Sequence, residues 1–145
     1  MSDVSLEAEK SLPYERMIVD KRTQLQNQTD DAISYDACQT AYQLNASLIV
    51  AFTESGGTAG RVSKYRPMPR ILALTPSARI QRRLTLRWGV TPVVTARIST
   101  VDDFFQLGVE EAEKLVEVVS GSIVILVAGL PIGVAGGTNL LRVFK

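Results

Sequence analysis

SLIVAFTESGGTAGRVSKYRPMPRILALTP, residues 47–76, carries the reading of the fold. It opens on an apolar run of strand length, residues 47–53. A glycine turn follows, then a short helix over 58–65 with Val62 and Tyr65 turned inward. Arg66-Pro67-Met68-Pro69 breaks that helix, and a second apolar run occupies 71–75. Short, continuously apolar strands joined through a helix belong to a parallel sheet covered on both faces.

The same alternation continues in both directions. Upstream, Thr29 or Asp30 can cap a helix running to about Leu44, with Ile33, Ala37, Ala41 and Leu44 on one face. Downstream, Thr75-Pro76 reads as a helix start, threonine as cap and proline in the first position, with Ile80 and Leu84 following. Residues 90–95 form a third strand, and Pro92 points to an edge or strand-start position. Thr100 to Asp103 is a capping-box variant opening a helix to about Val119, with Phe104, Leu115 and Val119 as core candidates. Residues 123–128 and 139–144 are the last two strands. The loop between them is too short for a parallel crossover, so the last strand is expected to be antiparallel. The predicted class is α/β: a three-layer α/β/α sandwich around about five strands, mostly parallel.

Composition bounds the chemistry. Among 145 residues, 16 basic side chains nearly balance 15 acidic ones, and the net charge of +1 gives no global field for nucleic acid or an anionic membrane. Histidine is absent, which removes the commonest general acid/base and metal ligand. Cys38 is the single cysteine, so no internal disulfide and no Cys-rich metal site can form; it reads as a small buried hydrophobe on the first helix. The redox picture fits the cytoplasm. Residues 120–141 lack charge, yet their glycines and Pro131 mark a strand and a loop, not a membrane span. The charged start of the chain, with Asp3, Glu7, Glu9 and Lys10, is no signal peptide.

Three constellations stand out. Thr53-Glu54-Ser55-Gly56-Gly57-Thr58 lies between a strand end and a helix start. Glycines let N–H groups converge, hydroxyls add donors and the helix end adds partial positive charge, as in a phosphate cradle. The same residues also read as a tight turn with Thr58 as helix cap. Residues 129–138, GLPIGVAGGT, with Gly133, Gly136, Gly137 and Thr138, fall at the same sheet edge, either as a second binding loop or as a plain connection. Arg79, Arg82, Arg83 and Arg87, with Trp88 beside them, offer either a stacked or bidentate anion contact or, as is expected here, a solvated or subunit-contacting face. No nucleophile stands beside a base, so no catalytic residue is assigned.

Several strings together resemble a known family. EAEKSLPYE, residues 7–15, looks like the end of the catalytic barrel domain of pyruvate kinase. AISYDACQTAYQLNA, residues 32–46, resembles the first helix of its C-terminal domain. FTESGGTAGRVSKYRPMPRILALTP, residues 52–76, resembles its effector-loop region; RRLTLRWGVTPV and GLPIGVAGGTNLLRV resemble its bacterial form. The resemblance implies that residues 1–28 are a helix and linker left from the barrel and that 29–145 form the C-terminal regulatory domain. It implies an effector phosphate held by Thr53, Ser55, Gly56, Gly57 and Thr58, with residues 129–138 closing the site. Glu54 stands where sugar-bisphosphate-responsive members are often basic, so a sugar monophosphate or a nucleotide is expected.

The resemblance further implies homo-oligomers that meet through Asn139, Leu141 and Val143 on the last strand. The family transfers a phosphoryl group from phosphoenolpyruvate to ADP using Mg²⁺ and usually K⁺, through residues of the barrel that this chain does not carry. No cofactor or metal is therefore expected here, and no catalysis by this chain alone. A purely structural assembly domain without effector is the competing expectation.

Overall fold

The computed structural model describes residues 29–96, 98, 100–115, 122–129 and 138–144. The expectations for residues 1–28 and for Val119, Gly133, Gly136 and Gly137 lie outside the described residues. Chain order gives α1 (Thr29–Gln43), β1 (Leu48–Phe52), α2 (Gly57–Lys64), β2 (Arg70–Thr75) and α3 (Ala78–Leu84). Then come β3 (Val90–Val94), α4 (Val101–Leu115), β4 (Val124–Ala128) and β5 (Leu140–Phe144). The strands form one sheet in the order β3-β2-β1-β4-β5. The first four are mutually parallel, and β5 runs antiparallel to β4, with Val124 opposite Phe144 and Ala128 opposite Leu140. The predicted class is thus the observed one. Pro92 sits in the outermost strand, β3, where a missing N–H costs no ladder bond on the outer side.

Period-2 alternation divides the buried strands between two cores. Ile49, Ala51, Ile71, Ala73, Ile125 and Val127 face α1, α2 and α3, where they meet Ala37, Cys38, Val62, Tyr65, Ile80 and Leu84. Leu48, Val50, Phe52, Leu72, Leu74 and Leu126 face α4, where they meet Phe104 and Ala112. Gly108 on α4 lets that helix approach the sheet: a Cβ there would lie 3.0 Å from Leu126 Cδ2 and 3.4 Å from Val50 Cγ1. Cys38 is fully buried on α1, as expected of a small hydrophobe on that helix.

Three local expectations are corrected. Leu44 is 41% exposed, because the chain leaves α1 at Gln43 and turns through Asn45 at positive φ. The cap of α3 is Ser77, not Thr75: its hydroxyl accepts from the Ile80 N–H at 3.3 Å, while Thr75 stays in the ladder of β2. The N-cap of α2 is Gly56, and Thr58 already lies inside the helix. At α4 the expected cap holds, with Thr100 Oγ1 accepting from the Asp103 N–H at 3.1 Å.

Tyr65 closes α2 and is fully buried, its ring edge-on to Tyr35 with centroids 5.4 Å apart. Burial, then the nearby Asp31 carboxylate, raise the phenol well above its ordinary value. The folded protein therefore holds this proton more tightly than the unfolded chain does. The associated stability is intact below about pH 10 and is lost as pH climbs beyond it, by up to about 1.4 kcal/mol per pH unit. Urea unfolding at pH 8, 10 and 11 is expected to show this decline, and Tyr65→Phe is expected to flatten it.

Candidate functional site

Strands β1, β2 and β3 step outward in one direction with their helices on one face. From β3 the chain returns through α4, on the opposite face, to place β4 on the other side of β1. The order in which strands are added thus reverses at β1, whose two neighbours β2 and β4 are both parallel to it. Ligands of open α/β sheets sit beyond the carboxyl ends of the strands at such a reversal. Residues 53–58 leave β1 there, and β4, which ends at Ala128, runs beside β1 in parallel.

The turn after β1 is built by its own hydroxyls. Thr53 is buried, donates its N–H to the Leu74 carbonyl at 2.9 Å, and its Oγ1 accepts from the Gly56 N–H at 2.8 Å. Gly56 takes φ 90°, which a residue with a Cβ rarely adopts. That single left-handed residue swings the chain into α2, where the Gly60 N–H bonds the Gly56 carbonyl at 2.9 Å. The N–H groups of Gly57, Thr58 and Ala59 precede any helical acceptor, and the dipole of α2 adds positive potential at this end. Ser55 is exposed, and its hydroxyl accepts from the Gly57 N–H at 3.4 Å while keeping its own proton to donate.

The five candidate residues therefore divide. Ser55, Gly56 and Gly57 line a cleft of about 730 Å³ that runs between α2 and α3. Thr53 and Thr58 act from behind. Thr58 is buried, and its hydroxyl pairs at 2.8 Å with that of Thr138, which is also buried. Of the four candidates in the second loop only Thr138 is described, and this bond brings the end of that loop onto the start of α2. Of the last-strand candidates, Asn139 and Val143 are exposed and Leu141 is half-buried, packed against the helix-covered core.

Four basic side chains complete the cleft, and the sequence reading had connected none of them to the turn. Arg61 and Lys64 come from α2, one and two turns beyond the glycines; Arg83 comes from α3 and Arg87 from the turn after it. Arg79 and Arg82 stay exposed outside the cleft, as expected for a solvated face. The signal for Arg61 and Lys64 was helical spacing from Gly57 and Gly60. Nothing in the sequence spacing places Arg83 and Arg87 opposite them, since α3 meets α2 only through their packing side by side on one face of the sheet.

Arg61 is a junction: Nη1 lies 3.5 Å from Asp30 Oδ2, and Nη2 donates to Thr138 Oγ1 at 3.4 Å. Lys64 Nζ is 2.9 Å from Asp31 Oδ1 and 4.7 Å from the Tyr65 ring centre. Both ion pairs tie the first turn of α1 to α2. The apolar part of the opposite wall, beside Arg83 and Arg87, is made by Ile80, Leu84 and the exposed Leu86. Glu54, the one acid within the turn, is half-buried and does not line the cleft. Among the described residues, no three His, Cys, Asp or Glu side chains come together to hold a metal ion. None of the described helices is long and apolar enough to cross a membrane.

Fold and cleft together define a doubly wound α/β domain with a ligand-sized, cation-lined cleft at the carboxyl edge of its sheet. The family model described as "Pyruvate kinase, alpha/beta domain" matches residues 31–144. The chain belongs to the pyruvate kinase family and is its C-terminal domain. Pyruvate kinase of Clostridium acetobutylicum is 35% identical over 143 residues, covering 99% of this chain and 30% of that protein. Pyruvate kinases of Sporosarcina psychrophila and Staphylococcus haemolyticus are each 37% identical, covering 99% and 98% of this chain and 24% of the relative. The chain thus spans between about a quarter and a third of the length of the curated relatives it matches.

Proposed function

We propose that this domain regulates and helps assemble a pyruvate kinase by binding a phosphorylated metabolite, a sugar monophosphate or a nucleotide, on the turn at residues 53–58. One observation carries the reading. The turn puts Ser55, Gly56 and Gly57 and the start of α2 at the mouth of a cleft whose other polar walls are cationic. Helix-start N–H groups with a flanking hydroxyl suit a phosphoryl group, and arginines suit it better than a neutral ligand.

In this reading the complete cytoplasmic enzyme transfers the phosphoryl group of phosphoenolpyruvate to ADP. Mg²⁺ and K⁺ act in the catalytic barrel domain, whose last helix and linker are residues 1–28. The start of the family match at residue 31, with similarity to the relatives running on across 143 residues, supports that boundary. Titration calorimetry of the chain with ribose 5-phosphate, glucose 6-phosphate and AMP tests the binding. Heat that saturates with at least one of them is expected. Ser55→Glu sets a carboxylate at the turn and is expected to weaken that binding at least tenfold while leaving the melting temperature unchanged. Silence with all three ligands at millimolar protein defeats the reading.

Assembly without an effector is favoured by a separate observation: among the described residues β5 is an outer strand paired on one edge by β4, and its Val143 is 40% exposed. Self-pairing of two such edges through Asn139, Leu141 and Val143 extends the sheet across a two-fold axis. Sedimentation over a hundredfold range of concentration decides it, since a monomer throughout leaves no role for that edge.

A further inference from the structure

We infer that Asp30 is a built-in competitor for the anion of this cleft. Its carboxylate holds Arg61, and a phosphoryl group on the Ser55–Gly57 turn takes that arginine over and releases the first turn of α1. The inference rests on the effector reading above and adds a regulatory contact to it.

Position is the first argument. Arg61 lines the cleft one turn beyond Gly57. A Cβ on Gly57 would stand 3.2 Å from Arg61 Nη1 and 3.3 Å from Nη2, so the guanidinium lies folded over the start of α2. Within the chain the same two nitrogens are engaged by Asp30 Oδ2, at 3.5 Å, and by Thr138 Oγ1, at 3.4 Å. An arginine beside the helix-start amides is therefore held by an internal carboxylate. A carboxylate and a phosphoryl group are alternative acceptors for the same guanidinium donors.

The low cost of the exchange is the second argument. The pair is long, and its side chains are 25% and 22% exposed, so solvent screens it. Asp30 does not depend on Arg61. Its Oδ1 accepts from the Asp31 N–H at 2.8 Å, its carbonyl accepts from the Ser34 hydroxyl at 2.7 Å, and the dipole of α1 favours an acid in the first turn. Thr138 likewise keeps its shorter bond to Thr58, at 2.8 Å, when Arg61 leaves. A phosphoryl group, with about two negative charges near neutral pH, is the stronger partner for the arginine. The Lys64–Asp31 pair is closer, at 2.9 Å, and its acid is buried, so α1 stays docked and only its first turn is released. That turn directly follows residues 1–28, which the effector reading assigns to the end of the barrel and the linker. Ligand and ion pair oppose each other, so each weakens the other by the same factor.

The test uses inorganic phosphate, titrated into the chain at fixed ionic strength and followed by the NMR shifts of the Ser55, Gly56, Gly57 and Thr58 amides. Asp30→Asn keeps an acceptor for the Asp31 N–H and removes the competing charge. It is expected to bind phosphate about three- to fivefold more tightly, the equilibrium factor that a screened ion pair represents. Asp36→Asn removes an equal charge from an exposed position on α1 and is expected to leave the affinity unchanged. Arg61→Gln is expected to weaken binding, and adding Asp30→Asn to it is expected to recover nothing, since the two residues act as one unit. No gain from Asp30→Asn, an equal gain from Asp36→Asn, or a gain that persists without Arg61 overturns the competition and leaves the effector reading standing. Amides that do not shift in any variant remove the effector reading and this inference with it.

Discussion

Phe104→Ala is expected to lower the unfolding free energy by about 3–5 kcal/mol, read as a shift of the urea midpoint at unchanged slope. Phe104 is fully buried and meets Phe52 edge-on, with centroids 6.0 Å apart. Among the described elements, α4 alone covers its face of the sheet, so Phe104 has no neighbouring helix to fill the space it leaves. Gly108 already presses α4 against Leu126, which prevents the helix from settling closer. A domain of this size has about 5–15 kcal/mol of stability in total, so the variant approaches the edge of folding. A loss under about 1 kcal/mol means that α4 does not dock as described. The more conservative Phe104→Leu is expected to lose less than half as much.

The second large effect is Lys64→Met, expected to cost about 2–3 kcal/mol. Its cause is electrostatic. The Asp31 carboxylate is almost fully buried, and the Lys64 ammonium stands 2.9 Å from it. Removing the cation leaves a carboxylate out of water and short of a counter-charge, which for a fully buried pair costs about 3–5 kcal/mol. Lys64 is itself more than a third exposed, so solvent screens the pair and the estimate is reduced. Asp31→Asn in the Lys64→Met background is expected to recover most of the loss, because a neutral amide removes the stranded charge. A double-mutant cycle in denaturant measures the coupling. Additive effects would show that the pair contributes packing and nothing more. The neighbouring Arg61–Asp30 pair, longer and more exposed, is expected to contribute under about 1 kcal/mol by the same measurement.

These two predictions concern opposite faces of the sheet, and the strands between them were legible in the sequence for a simple reason. A strand buried on both faces has no polar position, so residues 48–52 and 124–128 announce themselves as unbroken apolar runs. Pro92 announced an edge because a proline removes a ladder donor. The antiparallel last strand followed from chain length alone. Helix ends were less legible. Ser77 and Thr75 are both competent caps, and the choice between them depends on where the ladder of β2 releases the chain. The glycine turn was also legible from its composition, and Gly56 takes the left-handed conformation that swings the chain into α2.

Sequence by itself determined the order of elements, the parallel sheet, the family and the loop between β1 and α2, because local pattern and chain length constrain each of them. Tertiary structure alone decided what faces that loop. Arg83 and Arg87 lie more than twenty residues beyond it, and only the packing of α3 beside α2 on one face of the sheet carries them across. It also decided that Thr58 turns inward to Thr138, eighty residues away, and so shapes the turn without lining the cleft. A hydroxyl or a guanidinium is the same group in any setting, and the fold alone chooses whether it meets a ligand, water or another part of the chain.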